Sequence, residues 1–284
     1  MDWKRDHATW PMADQSRRVL RKPHRWHMLD SGEGPLLLLL HGAGGATHSW
    51  QHLIPLLDGY RIVAIDLPGQ GFTQCGAQKR CGLDEMAEDL LALCQAENLT
   101  PRAIIGHSAG AAIALRMAEM MTTAPDVIGI NAALDTFQGV AGVLFPLMAK
   151  AIAMLPMAAN IFSATASSGQ SVERIIKGTG STLPPEDLDF YRRLVASPSH
   201  VNGTLQMMAQ WELEPLLGRL PQHPSRTLFI TGDKDTAVPP AVSQKAADRM
   251  RRATCTSLIG LGHLAHEEDA AAVAAPILEF LKAK

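Results

Sequence analysis

The sequence is short of cysteine. Four stand in 284 residues (Cys75, Cys81, Cys94 and Cys255), and no two form a C-x-x-C pair. A chain of this length needs no covalent staples, so a disulfide scaffold is excluded and a reduced, cytosolic setting is expected. A surplus of one charge is lacking too. Lys and Arg number 26 against 28 Asp and Glu, a formal net charge of -2. Without a basic excess there is no electrostatic footprint for a polyanion, and no nucleic-acid partner is expected. The opening stretch MDWKRDHATWPMADQ alternates charge with tryptophan and holds no apolar h-region, so it is not read as a secretory signal. Internal repeats and low-complexity linkers are lacking as well. What is present is a globular composition, 46% hydrophobic and 19% charged. The length suits one domain with an insertion.

An uninterrupted membrane-length apolar helix is also lacking. Residues 140–162 carry a single charge, Lys150, and reach the roughly 20 residues that span a bilayer. Pro146 and Pro156 cut that stretch, and interior prolines break or kink helices. Two short apolar helices, roofing a pocket or dipping into a membrane face, are expected there. The location expected is cytoplasmic, with peripheral membrane contact through this segment as a variant.

Apolar runs alternate with helical spacing along most of the chain. Strands are expected at 17–20, 25–29, 36–40, 62–65, 103–105, 127–130, 227–230 and 255–259. Helices are expected at 49–57, 83–97, 111–121, 240–252 and 267–282. Such alternation predicts an α/β fold with a mostly parallel central sheet flanked by helices. No short buried strand is read between about 135 and 217. Residues 1–134 and 218–284 are therefore the core, and 135–217 a helical lid inserted in the same domain before the last two strands.

In a parallel sheet, reactive groups gather at the C-terminal ends of the strands. Four such ends carry suggestive chemistry: His41-Gly42-Ala43, Ser108, Asp235 and His263. Ser108 lies in Gly106-His107-Ser108-Ala109-Gly110, a G-x-S-x-G pentapeptide joining strand to helix. The pattern alone is weak, but that junction is where a tight turn lifts a serine above a sheet. A serine hydroxyl needs a base, which an imidazole supplies, and a carboxylate fixes the imidazole's tautomer. The chain order Ser108, Asp235, His263 suits this architecture. The backbone N–H groups of Ala109 and Ala43 are the expected oxyanion donors, each worth roughly 10²–10³ in rate.

These segments resemble the α/β-hydrolase superfamily along nearly the whole chain: LLHGAGG, DLPGQG, GHSAG, TGDKDTAVP and GLGHLAHEE. A narrower resemblance, carried by MDWKRDHATWP, HGAGGATHSW, LPGQGFT and GHSAGAAIALRMA, is to the magnesium-chelatase accessory proteins of bacteriochlorophyll biosynthesis. It implies a role near magnesium insertion into protoporphyrin, with chelatase subunits as partners. The superfamily pattern favours Asp235 over Asp233, which suits a turn, and His263 over His266, which is left to the surface or to support. Gln70 stands where the superfamily more often has His, in a loop structural in most members. A serine at the elbow argues against the dehalogenase and epoxide-hydrolase chemistry of resembling families, which use aspartate there.

Other features have plainer readings. His41 and His107 are expected to be structural. His48 and His52 have metal-like spacing but no third ligand, so no metal is expected, and the hydrolase reading requires no cofactor. Met148, Met154, Met157, Met207 and Met208 are either packing or an apolar roof for a large flat ligand. Arg174, Lys177, Arg192 and Arg193 could then meet porphyrin carboxylates, or form a solvated face. The leading expectation is a serine hydrolase cleaving an ester-like acyl bond of an apolar small molecule, a porphyrin being one candidate. The alternatives are a porphyrin-binding carrier or chelatase helper without catalysis, and a carbon–carbon bond hydrolase with the same triad.

Overall fold

Five consecutive leucines, Leu36–Leu40, form a strand, and every one is buried. Leu36, Leu38 and Leu40 join one apolar cluster, while Leu37 and Leu39 join another on the opposite face. The period of two sends alternate side chains into two cores, so no position tolerates a polar residue. Each buried leucine contributes about 1.5–3 kcal/mol. In the computed structural model, which describes residues 1–135, 159, 163 and 170–283, this strand lies in the middle of an eight-stranded sheet.

The strands are β1 (Ser16–Arg21), β2 (His24–Ser31), β3 (Leu36–Leu40), β4 (Arg61–Ile65), β5 (Ala103–His107), β6 (Asp126–Ile130), β7 (Thr227–Gly232) and β8 (Ala253–Leu258). Their order is β1-β2-β4-β3-β5-β6-β7-β8. β1 pairs with β2, and β2 with β4, antiparallel; all later pairs are parallel. The expected mostly parallel sheet is thus present. Helices α1 (Trp3–Asp6), α2 (Leu83–Ala96), α3 (Ala109–Met120), α4 (Ser171–Gly178), α5 (Pro185–Val195), α6 (Pro198–Ala209), α7 (Glu214–Arg219), α8 (Pro240–Arg249), α9 (Ala265–Glu268) and α10 (Ala270–Lys282) surround it or lie between strands. α2, α3 and α8 bury their apolar residues on one face of the sheet, α10 on the other. Helices α4–α7 all fall between β6 and β7, where the insertion was expected.

Two expected helices differ. Residues 49–57 form 3₁₀ turns, Thr47–Trp50 and Ile54–Leu56, because Pro55 has no N–H with which to continue a helix. The stretch 267–282 is divided at Asp269, which leaves helical geometry and caps α10 by accepting the Ala272 N–H at 2.9 Å. The apolar stretch 140–162, with Met148, Met154 and Met157, lies outside the described residues except for Ala159. Among the described residues, no helix is long and apolar enough to cross a membrane.

α3 lies closer to the sheet than any side chain would allow. A Cβ on Gly110 would stand 2.2 Å from the Leu40 carbonyl oxygen, and one on Gly106 2.3 Å from the Gly110 oxygen. Gly110→Ala is expected to cost about 3 kcal/mol or more through this backbone overlap. Gly218→Ala, with nothing within 4 Å, should be neutral or slightly stabilising. Thermal unfolding of both variants checks this, and equal midpoints for the two would refute it.

Candidate functional site

β5 ends at His107, and the next residue turns sharply. Ser108 has φ 51° and ψ -117°, an uncommon conformation for a residue with a Cβ. Its amide donates to the Ile130 carbonyl at 2.9 Å, and its carbonyl accepts from Ala111 and Ala133, each at 3.1 Å. The turn is pinned by backbone hydrogen bonds, and among the described residues the partly exposed hydroxyl has no hydrogen-bond partner. Gly42 makes room for it, since a Cβ there would sit 3.0 Å from Ser108 Cβ and 2.9 Å from His107 Nδ1.

Asp235 and His263 come together beyond the ends of β7 and β8. His263 Nδ1 donates to Asp235 Oδ2 at 2.8 Å. The other carboxylate oxygen accepts the Ala237 and Val238 N–H groups, both at 2.8 Å. The carboxylate is thereby fixed in rotation, and the proton is assigned to Nδ1, which leaves Nε2 as the basic nitrogen. Asp233 instead accepts the Gly260 N–H at 2.6 Å and braces the turn. Among the described residues, no hydrogen bond joins Ser108 Oγ to the His263 ring.

The loop bearing His263 is bolted down from several sides. Its carbonyl accepts from His107 Nε2 and Asn131 Nδ2, each at 2.8 Å, and Asn131 also reaches the Gly262 carbonyl at 2.9 Å. Asn131 Oδ1 accepts the Gly232 N–H at 2.8 Å, so one amide ties β6 to β7 and to the histidine loop. From the insertion, the Thr179 carbonyl accepts the His263 N–H at 3.3 Å and Ser181 Oγ accepts the Leu264 N–H at 2.8 Å. Glu268 accepts from Gly262 N at 2.7 Å and Ser181 Oγ at 3.0 Å. Asn131, Ser181 and Glu268 are absent from the sequence reading. Asn131 stands at the C-terminal end of β6, and that strand-end position is the signal that marks it in the sequence.

The Ala43 loop is held as firmly. Leu67 N donates to His41 Nε2 at 2.9 Å, so Nδ1 carries the proton and donates to the Gly42 carbonyl at 2.7 Å. Gln70 Oε1 accepts the Gly44 N–H at 2.7 Å, and His200 Nε2 donates to the Gly44 carbonyl at 3.2 Å. Gln70 therefore performs a backbone-holding role. Among the described residues, neither the Ala43 nor the Ala109 N–H has an acceptor. Below the loop, Asp66 accepts from Thr47 N, Phe72 N and His27 Nδ1, at 2.7, 2.8 and 2.7 Å. Burial pushes this carboxyl up, but His27 and the amide donors outweigh it and hold it well below the usual range.

Behind His263 lies a buried group of neutral rings. His266 is fully buried and is not a surface residue; its ring lies 4.6 Å from those of both His107 and Trp50. Burial, with His263 nearby, pushes it down to about 3. Burial also pushes His48 down to about 3. His48 and His52 do not converge, for His52 Nε2 binds Asp187 at 2.9 Å. Of the four cations expected near a ligand, Lys177 pairs with Glu173 at 2.8 Å and Arg192 with Asp189. Arg193 donates to the Asp6 and Thr9 carbonyls, and Arg174 is exposed on α4.

An eight-stranded sheet with this crossover order and a strained serine elbow is diagnostic when the sequence agrees with it. The alpha/beta hydrolase fold model matches residues 35–270. The chain belongs to the alpha/beta hydrolase fold family. It is 45% identical over 278 residues to the magnesium-chelatase 30 kDa subunit of Rhodobacter capsulatus, covering 97% of each chain. A crystal structure of an alpha/beta hydrolase fold protein from Burkholderia ambifaria superposes with TM-score 0.79 at 24% identity, covering 94% of this chain and 98% of that one. A thermophilic esterase from Thermogutta terrifontis gives 0.77 at 22% identity, covering 94% and 98%. These two likenesses show the fold.

Glu267, next to His266, is pushed up to about 8 by burial, although the Tyr191 hydroxyl donates to it at 2.6 Å. A carboxyl protonated in the fold and ionised when unfolded contributes fully below its ordinary value of 4.5. That contribution falls as pH rises toward about 8, by about 1.4 kcal/mol per pH unit at most. Glu267→Gln keeps an acceptor for Tyr191 and removes the titration. Denaturant unfolding between pH 5 and 8 should show a flatter stability profile for the variant; an unchanged slope would refute it.

Proposed function

We propose that this member of the hydrolase family is a serine-nucleophile enzyme that cleaves an ester-like acyl bond of an apolar substrate, acting as an accessory to magnesium chelatase in bacteriochlorophyll biosynthesis. The observation that carries the reading is the His263–Asp235 contact at 2.8 Å, with the second carboxylate oxygen held by two amides, in the same strand-end layer as Ser108. The accessory role rests on the name of the 45%-identical Rhodobacter capsulatus relative.

In this mechanism Ser108 Oγ attacks the acyl carbon while His263 Nε2 takes its proton. Asp235 holds the ring and stabilises the imidazolium. The Ala43 and Ala109 N–H groups receive the developing oxyanion, as their lack of acceptors among the described residues allows. The imidazolium returns its proton to the leaving alcohol, and water repeats the sequence to release the acid. The insertion serves as a lid over the apolar part of the substrate, with Met207 and Met208 on α6 among its residues. Oγ and Nε2 need to approach during turnover, because resting hydrogen bonds of this kind are often long and tighten with substrate.

A fluorophosphonate is expected to label the wild type and not Ser108→Ala. His263→Ala should slow labelling by about 10³-fold or more, a typical loss when one member of such a triad is removed. Folded wild-type protein that resists labelling would overturn the enzymatic reading.

A second reading, a porphyrin carrier or chelatase helper without catalysis, is favoured by the unmade Ser108–His263 hydrogen bond together with the relative's name. It expects Ser108→Ala to bind protoporphyrin and support magnesium chelation as well as wild type. Chelation that depends on the unmutated serine excludes it.

A further inference from the structure

The loop that leaves β4 passes Gln70 and reaches Cys75, and the segment before α2 ends near Cys81. The topology folds these two cysteines back on each other, with Sγ atoms 3.7 Å apart. Both are free thiols. They line one cavity of about 260 Å³, together with Gly69, Thr73, Asn202 and Gln206. Cys81 is fully buried, while Cys75 is half-exposed beside the cavity. We propose that Cys75 and Cys81 form a peroxide-reactive dithiol, Cys75 the attacking thiol and Cys81 the resolving one, closing to a reversible intrachain disulfide.

Several observations distinguish this pair from an accidental one. Neighbouring contacts fix the Cys75 end: Gly76 N donates to His24 Nδ1 at 3.2 Å, and Gln74 pairs with Arg25. His24 Nε2 in turn binds the buried Asp89 at 3.0 Å. The Cys81 thiol draws Cys75 below the usual thiol range against the opposing effect of burial, whereas Cys81 is pushed up. Cys94, deep in the core, is pushed up to about 12 by burial, and Cys255 is also raised. Thiolate character and access thus coincide at Cys75 alone. A disulfide bond is about 2.05 Å long, so the sulfurs must close about 1.6 Å, within reach of side-chain rotation.

The Cys75 thiolate attacks one oxygen of hydrogen peroxide or a small organic hydroperoxide. An S–O bond forms, the O–O bond breaks, and the departing oxygen leaves as water or alcohol after taking a proton. Cys75 is then a sulfenic acid. The Cys81 sulfur attacks it, an S–S bond forms, the S–O bond breaks, and the hydroxyl leaves with the Cys81 proton as a second water. Two thiols lose two electrons in total, and the peroxide gains them. A dithiol reductant reverses the closure by exchange.

Lys79 and Arg80 lie between the two cysteines. Trypsin therefore yields two separate peptides unless a disulfide joins them. The full-length protein is treated with graded hydrogen peroxide, alkylated and digested, and its peptides are weighed and then fragmented to locate the link, because the tryptic peptide 81–102 carries both Cys81 and Cys94. The expected result is a Cys75–Cys81 linked pair that disappears with dithiothreitol, at doses leaving Cys94 and Cys255 alkylatable. In Cys81→Ala, dimedone should trap a sulfenic acid on Cys75; in Cys75→Ala, Cys81 should stay reduced at the same dose. Oxidation that spares Cys75 while consuming Cys255, or Cys75 linked elsewhere, overturns the proposal. The wild-type digest decides the matter even if the Cys81 variant does not fold.

Discussion

The structure depends on how closely α3 approaches the strand ends. Gly106 and Gly110 let helix backbone meet strand backbone with no side chain between them, and Gly42 leaves space for the His107 ring and the Ser108 side chain. That approach forces the turn between β5 and α3 into a conformation few residues adopt and leaves Ser108 at its apex. A wider turn would drop the hydroxyl back toward the sheet. The two leucine-lined cores hold β3 and β5 in register and supply the energy that sustains such strain.

Around this apex, two buried polar side chains organise the loops. Asp66, buried at the end of β4, accepts three hydrogen bonds and so joins the β2 strand, the Thr47 turn and the Phe72 loop. Asn131 plays the corresponding part on the other side, joining β6, β7 and the histidine loop. The insertion belongs to the same scaffold. Thr179 and Ser181 hold the histidine loop directly, and Thr236 N, beside Asp235, donates to the Thr179 carbonyl at 3.3 Å. Residues long separated in the chain therefore make one rigid floor.

Much of this was legible in the chain. The all-apolar run at 36–40 announced a strand buried on both faces, and the strand-end positions of Ser108, Asp235 and His263 marked a candidate site. Asp235 could be separated from Asp233 by family pattern only; the structure supplies the physical difference, since one binds an imidazole and the other braces a glycine turn. What stayed hidden depends on packing. The burial of His266 and the raised Glu267 follow from α9 folding under Trp50, which no local pattern encodes. The 3.7 Å approach of Cys75 to Cys81 needs a loop to turn back on itself, and six residues of spacing do not reveal that.

The contact between Gly69 and Gly203 bears on whether α6 is able to move. A Cβ on Gly203 would stand 2.3 Å from the Gly69 oxygen, so α6 rests backbone-to-backbone on the loop after β4. His200, on the same helix, accepts the Gly71 N–H at 3.0 Å and reaches the Gly44 carbonyl. Swinging α6 outward would expose all of these groups at once and would release the Ala43 loop along with them. This helix is consequently a fixed brace for those loops and not a moving part.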